Sequence, residues 1–379
     1  MPSSTSNFKM THSEMAGSAF RATASDRPGV AQPVPERDIP AQPWGRIFAG
    51  MLVLFAALLG AWEWHWRDFG AKPGSVNSFG LWATQRRRID EGEGDATVLI
   101  GASRILFDVQ LPQWETLAGK RPIQLAMQGT TPLGFMEDLA ADPKFTGRLV
   151  IGVAPDVFFN GRAYRGAALG YFRKETPAQR VGQWLSLHFV EPYFAFDDPD
   201  FALATVLTRQ PWPARPGKRW RTDVRKLMVT QADRNTHIWD KVENDPDYRE
   251  VARNIWRENF QPDVDAPPLA VQQKKWQEQI DRATRAAATL RARGVKMLFV
   301  RAPSSGPYLE FENRTMPRAQ TWDRLLAQTG VPGINFEDYP QMQNYTLPEW
   351  SHLTAEDAKR FTVDLYRIID QDFWPSQKP

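Results

Sequence analysis

Read from its first residue, the chain changes hydrophobic period twice. Residues 1–43 show no sustained period; serine, threonine and proline recur, and the composition predicts a disordered tail. In "PWGRIFAGMLVLFAALLGAWEWHWRD" the polar residues almost vanish. The uncharged run from Ile47 to Trp62 is a little shorter than the ~20 residues of a spanning helix, but Trp44, Trp62, Trp64 and Trp66 suit the two interfaces and Arg46 can snorkel. One transmembrane anchor is expected at 44–66. A cleaved signal peptide would have a short basic head and small residues at its cleavage site; this run follows a long head and ends in "AWEWHW".

After a linker and first helix at 67–94, the period becomes that of an α/β domain over 95–375. "TVLIGAS" (97–103), "PIQLAM" (122–127), "RLVIGVAP" (148–155), "VKMLFVRAP" (295–303) and "GINFEDY" (333–339) are short apolar runs bounded by glycine or proline, as expected of strands buried on both faces. Helical patterns lie between them, and those ending on Gly294 and Gly330 close on a residue suited to the left-handed position. Strands alternating with helices predict a five-stranded parallel sheet with helices on both faces. A helical insertion at about 160–270 interrupts the alternation. Its "YRGAALGYFRKETPAQRVGQWLSLHFVEPYFAF" clusters aromatics, and "RQPWPARPGKRWRTDVRK" is basic and broken by proline. The segment reads either as a lid or docking surface for polysaccharide, lipid headgroups or a membrane partner, or as a subdomain with its own core.

Composition removes several functions. With 47 basic and 44 acidic residues among 379, the net charge of +3 is not the footprint of a nucleic-acid binder. The absence of cysteine excludes disulfides, thiol catalysis and cysteine-ligated metal. No glycine-rich phosphate loop and no paired-histidine motif occurs, so neither metal nor cofactor is expected.

Function in such sheets collects at the carboxyl ends of strands. Ser103 stands there in "LIGASR", after Gly101 and Ala102, placed either as a nucleophile or as a helix cap. A nucleophilic serine needs a base, and there are five histidines. His12 lies in the tail, His65 at the membrane edge, and His188 and His237 in the insertion. His352 remains, in "LPEWSHLTAED", with Glu349 three residues before it and Thr354 positioned to cap the last helix. From a loop, Glu349 can turn back onto one imidazole nitrogen and leave the other for the serine.

The set "GAS" after the first strand, "QGTTP" after the second and "EWSHL" before the last helix resembles the SGNH (GDSL-like) hydrolase superfamily over about residues 95–375. The resemblance implies a flavodoxin-like sheet, Ser103 as nucleophile, Gly129 as an oxyanion-hole amide, and His352 with Glu349 as base and orienter, glutamate standing for the usual aspartate. The family's block III Gly-x-Asn-Asp is absent; "GVAPDVFF" takes its place, and one oxyanion donor is unassigned. Arg104 and Arg301 read either as compensating charges near the oxyanion or an acidic substrate, or as structural ion pairs. Asp156 reads either as a polar site residue or as a helix-initiating acid.

The expected protein is a membrane-anchored serine esterase or O-acyltransferase, acting through an acyl-enzyme on O-acyl groups, acetyl foremost, of an envelope or exported polysaccharide. The architecture resembles accessory proteins that work beside multi-spanning membrane O-acyltransferases. The charges flanking the anchor are nearly balanced, so its orientation is taken from the long domain that follows: tail in the cytoplasm, domain in the periplasm, across a bacterial-type inner membrane. A non-catalytic SGNH-like adaptor that binds a membrane acyltransferase or glycan is the alternative.

Overall fold

The computed structural model describes residues 41–209, 224–260 and 267–375. The expected tail up to residue 40, and most of the basic, proline-broken stretch, lie outside the described residues. The described residues fall into two units, divided between Leu58 and Leu59.

In the first unit, the helix Trp44–Phe69 begins. It is long and apolar enough to cross a membrane. Met51, Leu52, Val53, Leu54 and Phe55 are consecutive and all exposed, so the helix is apolar all round, the pattern suited to lipid rather than to a polar solvent. The second unit begins at Leu59, inside the 44–66 expected for the anchor, and holds the helix's last turns to Phe69. Trp62 Nε1 donates to the Phe201 carbonyl at 3.2 Å, and the Glu63 carboxylate accepts from the Ala195 and Phe196 amides at 2.9 and 3.0 Å. Trp66 is buried and stacks on Phe201 with centroids 4.8 Å apart. Composition marks where lipid contact is favourable; packing marks where the domain starts, and here the two boundaries differ.

Among the described residues, the second unit has seven strands: β1 (Thr97–Ile100), β2 (Ile123–Gln124), β3 (Arg148–Gly152), β4 (Met228–Thr230), β5 (Thr236–Ile238), β6 (Lys296–Arg301) and β7 (Gly333–Asn335). Five form a parallel sheet in the order β2-β1-β3-β6-β7. β4 and β5 pair antiparallel inside the insertion, which is therefore not wholly helical. Each is three residues long, too short for a period of two to show in the sequence.

Alternation along the sheet strands assigns each side chain to one of two cores. Leu99, Val150, Leu298, Val300 and Ile334 point to the side covered by the last helix, Ala355–Ile368, through Phe361 and Leu365. Val98, Ile100, Leu149, Ile151 and Phe299 point to the other, covered by the long helix Leu269–Ala292 and by Leu133–Ala141. The full burial of both sets explains why these strands read as unbroken apolar runs. The helix Leu133–Ala141 starts after Pro132, which takes its cap position.

Two glycines set the geometry of the sheet's carboxyl edge. A Cβ on Gly101 would stand 2.8 Å from Ile105 Cγ1, and one on Gly152 would stand 2.0 Å from the same atom. Their bare backbones let Ile105 tuck under the ends of β1 and β3, and a helix, Ser103–Asp108, starts directly off β1.

Candidate active site

Ser103 is the first residue of that helix, while Ala102 occupies the cap position with no side-chain cap bond. The serine hydroxyl is therefore not used as a cap, and it makes no hydrogen bond among the described residues. The chain after β2 runs alongside the end of β1: the Leu125 and Met127 amides donate to the Leu99 and Gly101 carbonyls at 2.8 and 2.9 Å, and Gly129 follows two residues later.

Gly129 has φ +61°, the left-handed region that favours glycine. Its loop is tied on both sides. The Gly129 carbonyl accepts from the Tyr164 amide at 3.2 Å, and the Arg165 amide donates to Thr130 Oγ1 at 2.7 Å. From the other side the fully buried Arg234 donates to the Gln124 and Ala126 carbonyls at 2.8 and 2.7 Å, and to Asn77 Oδ1 at 2.9 Å. Burial, with Arg165 nearby, pushes the Arg234 guanidinium down to about 9. A cation satisfied by neutral carbonyl, amide and thioether acceptors is tolerated because guanidinium offers several donors in one plane.

His352 and Glu349 meet as a buried pair, 1% and 0% exposed. His352 Nδ1 donates to Glu349 Oε1 at 2.7 Å, and the His352 amide donates to the same oxygen at 2.7 Å. Trp256 Nε1 donates to Glu349 Oε2. Between the pair, Trp350 has φ +73°, a costly conformation for a bulky residue. It is held by its carbonyl accepting from the Ser305 amide at 2.9 Å, and by Arg253 and Arg257 lying over its ring. The turn folds the glutamate back onto the imidazole three residues on. Nε2 of His352 is buried and has no hydrogen-bond partner among the described residues.

The serine helix and the histidine loop pack directly together. Phe107 stacks on the His352 ring at 4.2 Å between centroids, and Asp108 Oδ1 accepts from the Leu353 amide at 3.1 Å. Ser103 precedes Phe107 by four residues, so both lie on one face of the helix, ~6 Å apart along its axis. Burial raises the Asp108 carboxyl well above the ordinary range, against the pull of the Leu353 amide.

Arg104, Arg301 and Asp156 belong to a neighbouring polar cluster. Arg104 is 3% exposed; its Nη2 lies 2.9 Å from Glu312 Oε1, and Nη1 donates to Oε2 at 3.2 Å. Burial works against its charge, but Glu312, helped by Tyr308 and Asp156, outweighs it and holds the guanidinium above its usual value. Arg301 bridges Glu337 at 2.7 Å and approaches Glu312 at 3.8 Å; burial lowers it, with Glu312 and Glu337 opposing. Both arginines are thus committed to carboxylates. Asp156, in the short helix Pro155–Phe158 after β3, is pushed up to about 6 by burial and by Glu312. Its Oδ2 accepts from Tyr308 at 3.5 Å, and its Oδ1 has no hydrogen bond among the described residues.

A pH signature follows for Asp156. Between its ordinary value near 4 and about 6, the unfolded chain has lost the proton while the folded chain keeps it, so the folded state binds more protons and stability falls as pH rises through that window. The loss is on the order of 2–3 kcal/mol, flat above the folded value. Asp156→Asn mimics the neutral acid. Its melting temperature relative to the parent should rise between pH 4 and pH 7; a pH-independent difference would contradict the assignment.

The sequence proposed Ser103, His352 and Glu349 as candidates, but gave no notice of Trp256, Phe107 and Asp108, which pack around the histidine loop. Phe107 had a signal, its spacing from Ser103. Trp256 had none, because only the folded chain brings the helix Pro246–Phe260 over the histidine loop. No group of residues suited to a metal ion occurs among the described residues. A scan of protein-family models found no match to the chain, and a search of curated proteins found none.

Proposed function

We propose that the protein is a membrane-anchored serine esterase or O-acyltransferase of SGNH type. One observation carries the reading: Glu349 holds Nδ1 of a buried histidine whose Nε2 is unclaimed, on a loop packed against the helix that Ser103 opens. The strand order, 2-1-3-4-5 when counted within the sheet alone, supports it. That order reverses direction between β1 and β3, and ligands gather at such a switch point outside the carboxyl ends.

In this reading His352 Nε2 takes the Ser103 proton as Oγ attacks the ester carbonyl. The Gly129 amide steadies the oxyanion, and Glu349 stabilises the imidazolium. Collapse expels the alcohol, which receives the proton from His352 and leaves an acyl-serine. Water or a sugar hydroxyl, deprotonated by His352, then attacks the acyl carbon; its product is an acid or a new ester, and Ser103 recovers its proton. The acyl group is acetyl foremost and the acceptor an envelope or exported polysaccharide, with the domain on the periplasmic side and a multi-spanning acyltransferase as partner.

The adaptor reading has one observation in its favour: His352 is sealed under Phe107 and Trp256. Glu349→Gln separates the two. In an enzyme the amide keeps the contact but not the charge, and turnover of an activated acetyl ester by the purified full chain should fall roughly 10- to 10⁴-fold. Unchanged turnover, or none in the parent, would favour the adaptor.

A further inference from the structure

The helix Pro177–Phe189 is inside out. It is well made locally: Thr176 and Gln179 form a reciprocal capping box, and Pro177 takes the first turn. Yet none of its residues is buried. Its half-buried residues Gln183, Ser186 and Leu187 face the protein, where Gln183 accepts from Ser78 Oγ at 2.8 Å and Ser186 donates to Glu191 at 2.8 Å. Its apolar side faces outward. Val181, Trp184, Leu185 and Phe189, at intervals of three and four, are 57, 53, 45 and 60% exposed. Scattered exposed apolar residues are ordinary; a continuous stripe on one helix face, with Gln183 and Ser186 turned in, is not.

The stripe continues to the place where the anchor enters the domain. Tyr193 and Phe194, 61 and 39% exposed, follow directly, and this same segment receives the last turns of the apolar helix. Arg67 donates to the Tyr193 carbonyl at 2.8 Å, beside the Glu63 bonds to Ala195 and Phe196. The exposed apolar surface is therefore joined to the residues that leave the spanning run.

We propose that the helix Pro177–Phe189 is a second membrane contact, lying in the interface of the bilayer that the anchor spans, with Val181, Trp184, Leu185 and Phe189 immersed at the headgroup and acyl boundary. This goes beyond the catalytic reading and does not rest on it. The contact fixes how the domain stands on the membrane, a restraint that a single helix leading into a domain does not supply.

The chain has no cysteine, which makes a labelling test unambiguous. Val181→Cys and Leu185→Cys, each carrying a nitroxide, are placed in the full chain reconstituted into phosphatidylcholine vesicles. Leu54→Cys on the anchor and Lys359→Cys on the last helix serve as lipid and aqueous references, since both positions are exposed in the protein. Collision with oxygen is compared with collision with a water-soluble nickel chelate. Both test labels should resemble Leu54: open to oxygen and shielded from nickel. Labels open to nickel as at Lys359 would overturn the proposal, and so would labels shielded from both probes, which would indicate protein covering the stripe. The positions are about half exposed, so the substitutions remove little packing; agreement between two independent sites guards against a local artefact.

Discussion

Ser103→Ala should reduce turnover of an activated acetyl ester on the order of 10⁴- to 10⁶-fold, the loss expected when a nucleophile that acts as a unit with its base is removed. The fold should hardly notice. The hydroxyl caps no helix and makes no hydrogen bond among the described residues, so stability should stay within about 0.5 kcal/mol of the parent. That separation between activity and melting temperature distinguishes a chemical role from a structural one. A variant that kept its turnover would remove Ser103 from the chemistry, and one that lost both would leave a packing role as the simpler explanation.

The opposite pattern is expected at Arg104 and Glu312. Glu312 is fully buried, and besides its contacts with Arg104 it accepts from Ser304 Oγ at 2.8 Å. Removing one partner of such a pair leaves a buried charge without its nearest counter-ion, Arg301 standing farther from Glu312 at 3.8 Å, at a cost of up to about 3–5 kcal/mol. Glu312→Gln should therefore destabilise by roughly that amount in denaturant titration, and Arg104→Met should do likewise. Combining them strands neither charge, so the double variant should recover a substantial part of the loss. Additive losses would mean that the two residues are not coupled. The same carboxylate helps raise Asp156, so Glu312→Gln should also move the Asp156 stability window to lower pH.

The parallel sheet was legible because each of its strands is buried on both faces, and a run such as "RLVIG" has no other stable home. The β4–β5 pair was not, since three residues cannot establish a period. Within the site, Glu349 and His352 were legible because their meeting is local, three residues apart on one loop. The turn that joins them was not: nothing in "EWSH" announces that Trp350 takes a left-handed backbone, which the ring contacts of Arg253 and Arg257 hold in place. Arg104 and Arg301 illustrate the same limit. Their side chains suit an oxyanion as well as a carboxylate, and only the arrival of Glu312 from the helix Gly306–Thr315 decides which partner they have.

The most direct test of the central claim is covalent trapping. The full chain is treated with a fluorophosphonate, which phosphonylates a serine only where a base activates it, and the modified peptide is mapped by mass spectrometry. The account predicts a single adduct on Ser103, absent from His352→Ala although that residue is not the one modified. No adduct on Ser103 in the parent, or one that survives His352→Ala undiminished, would contradict it.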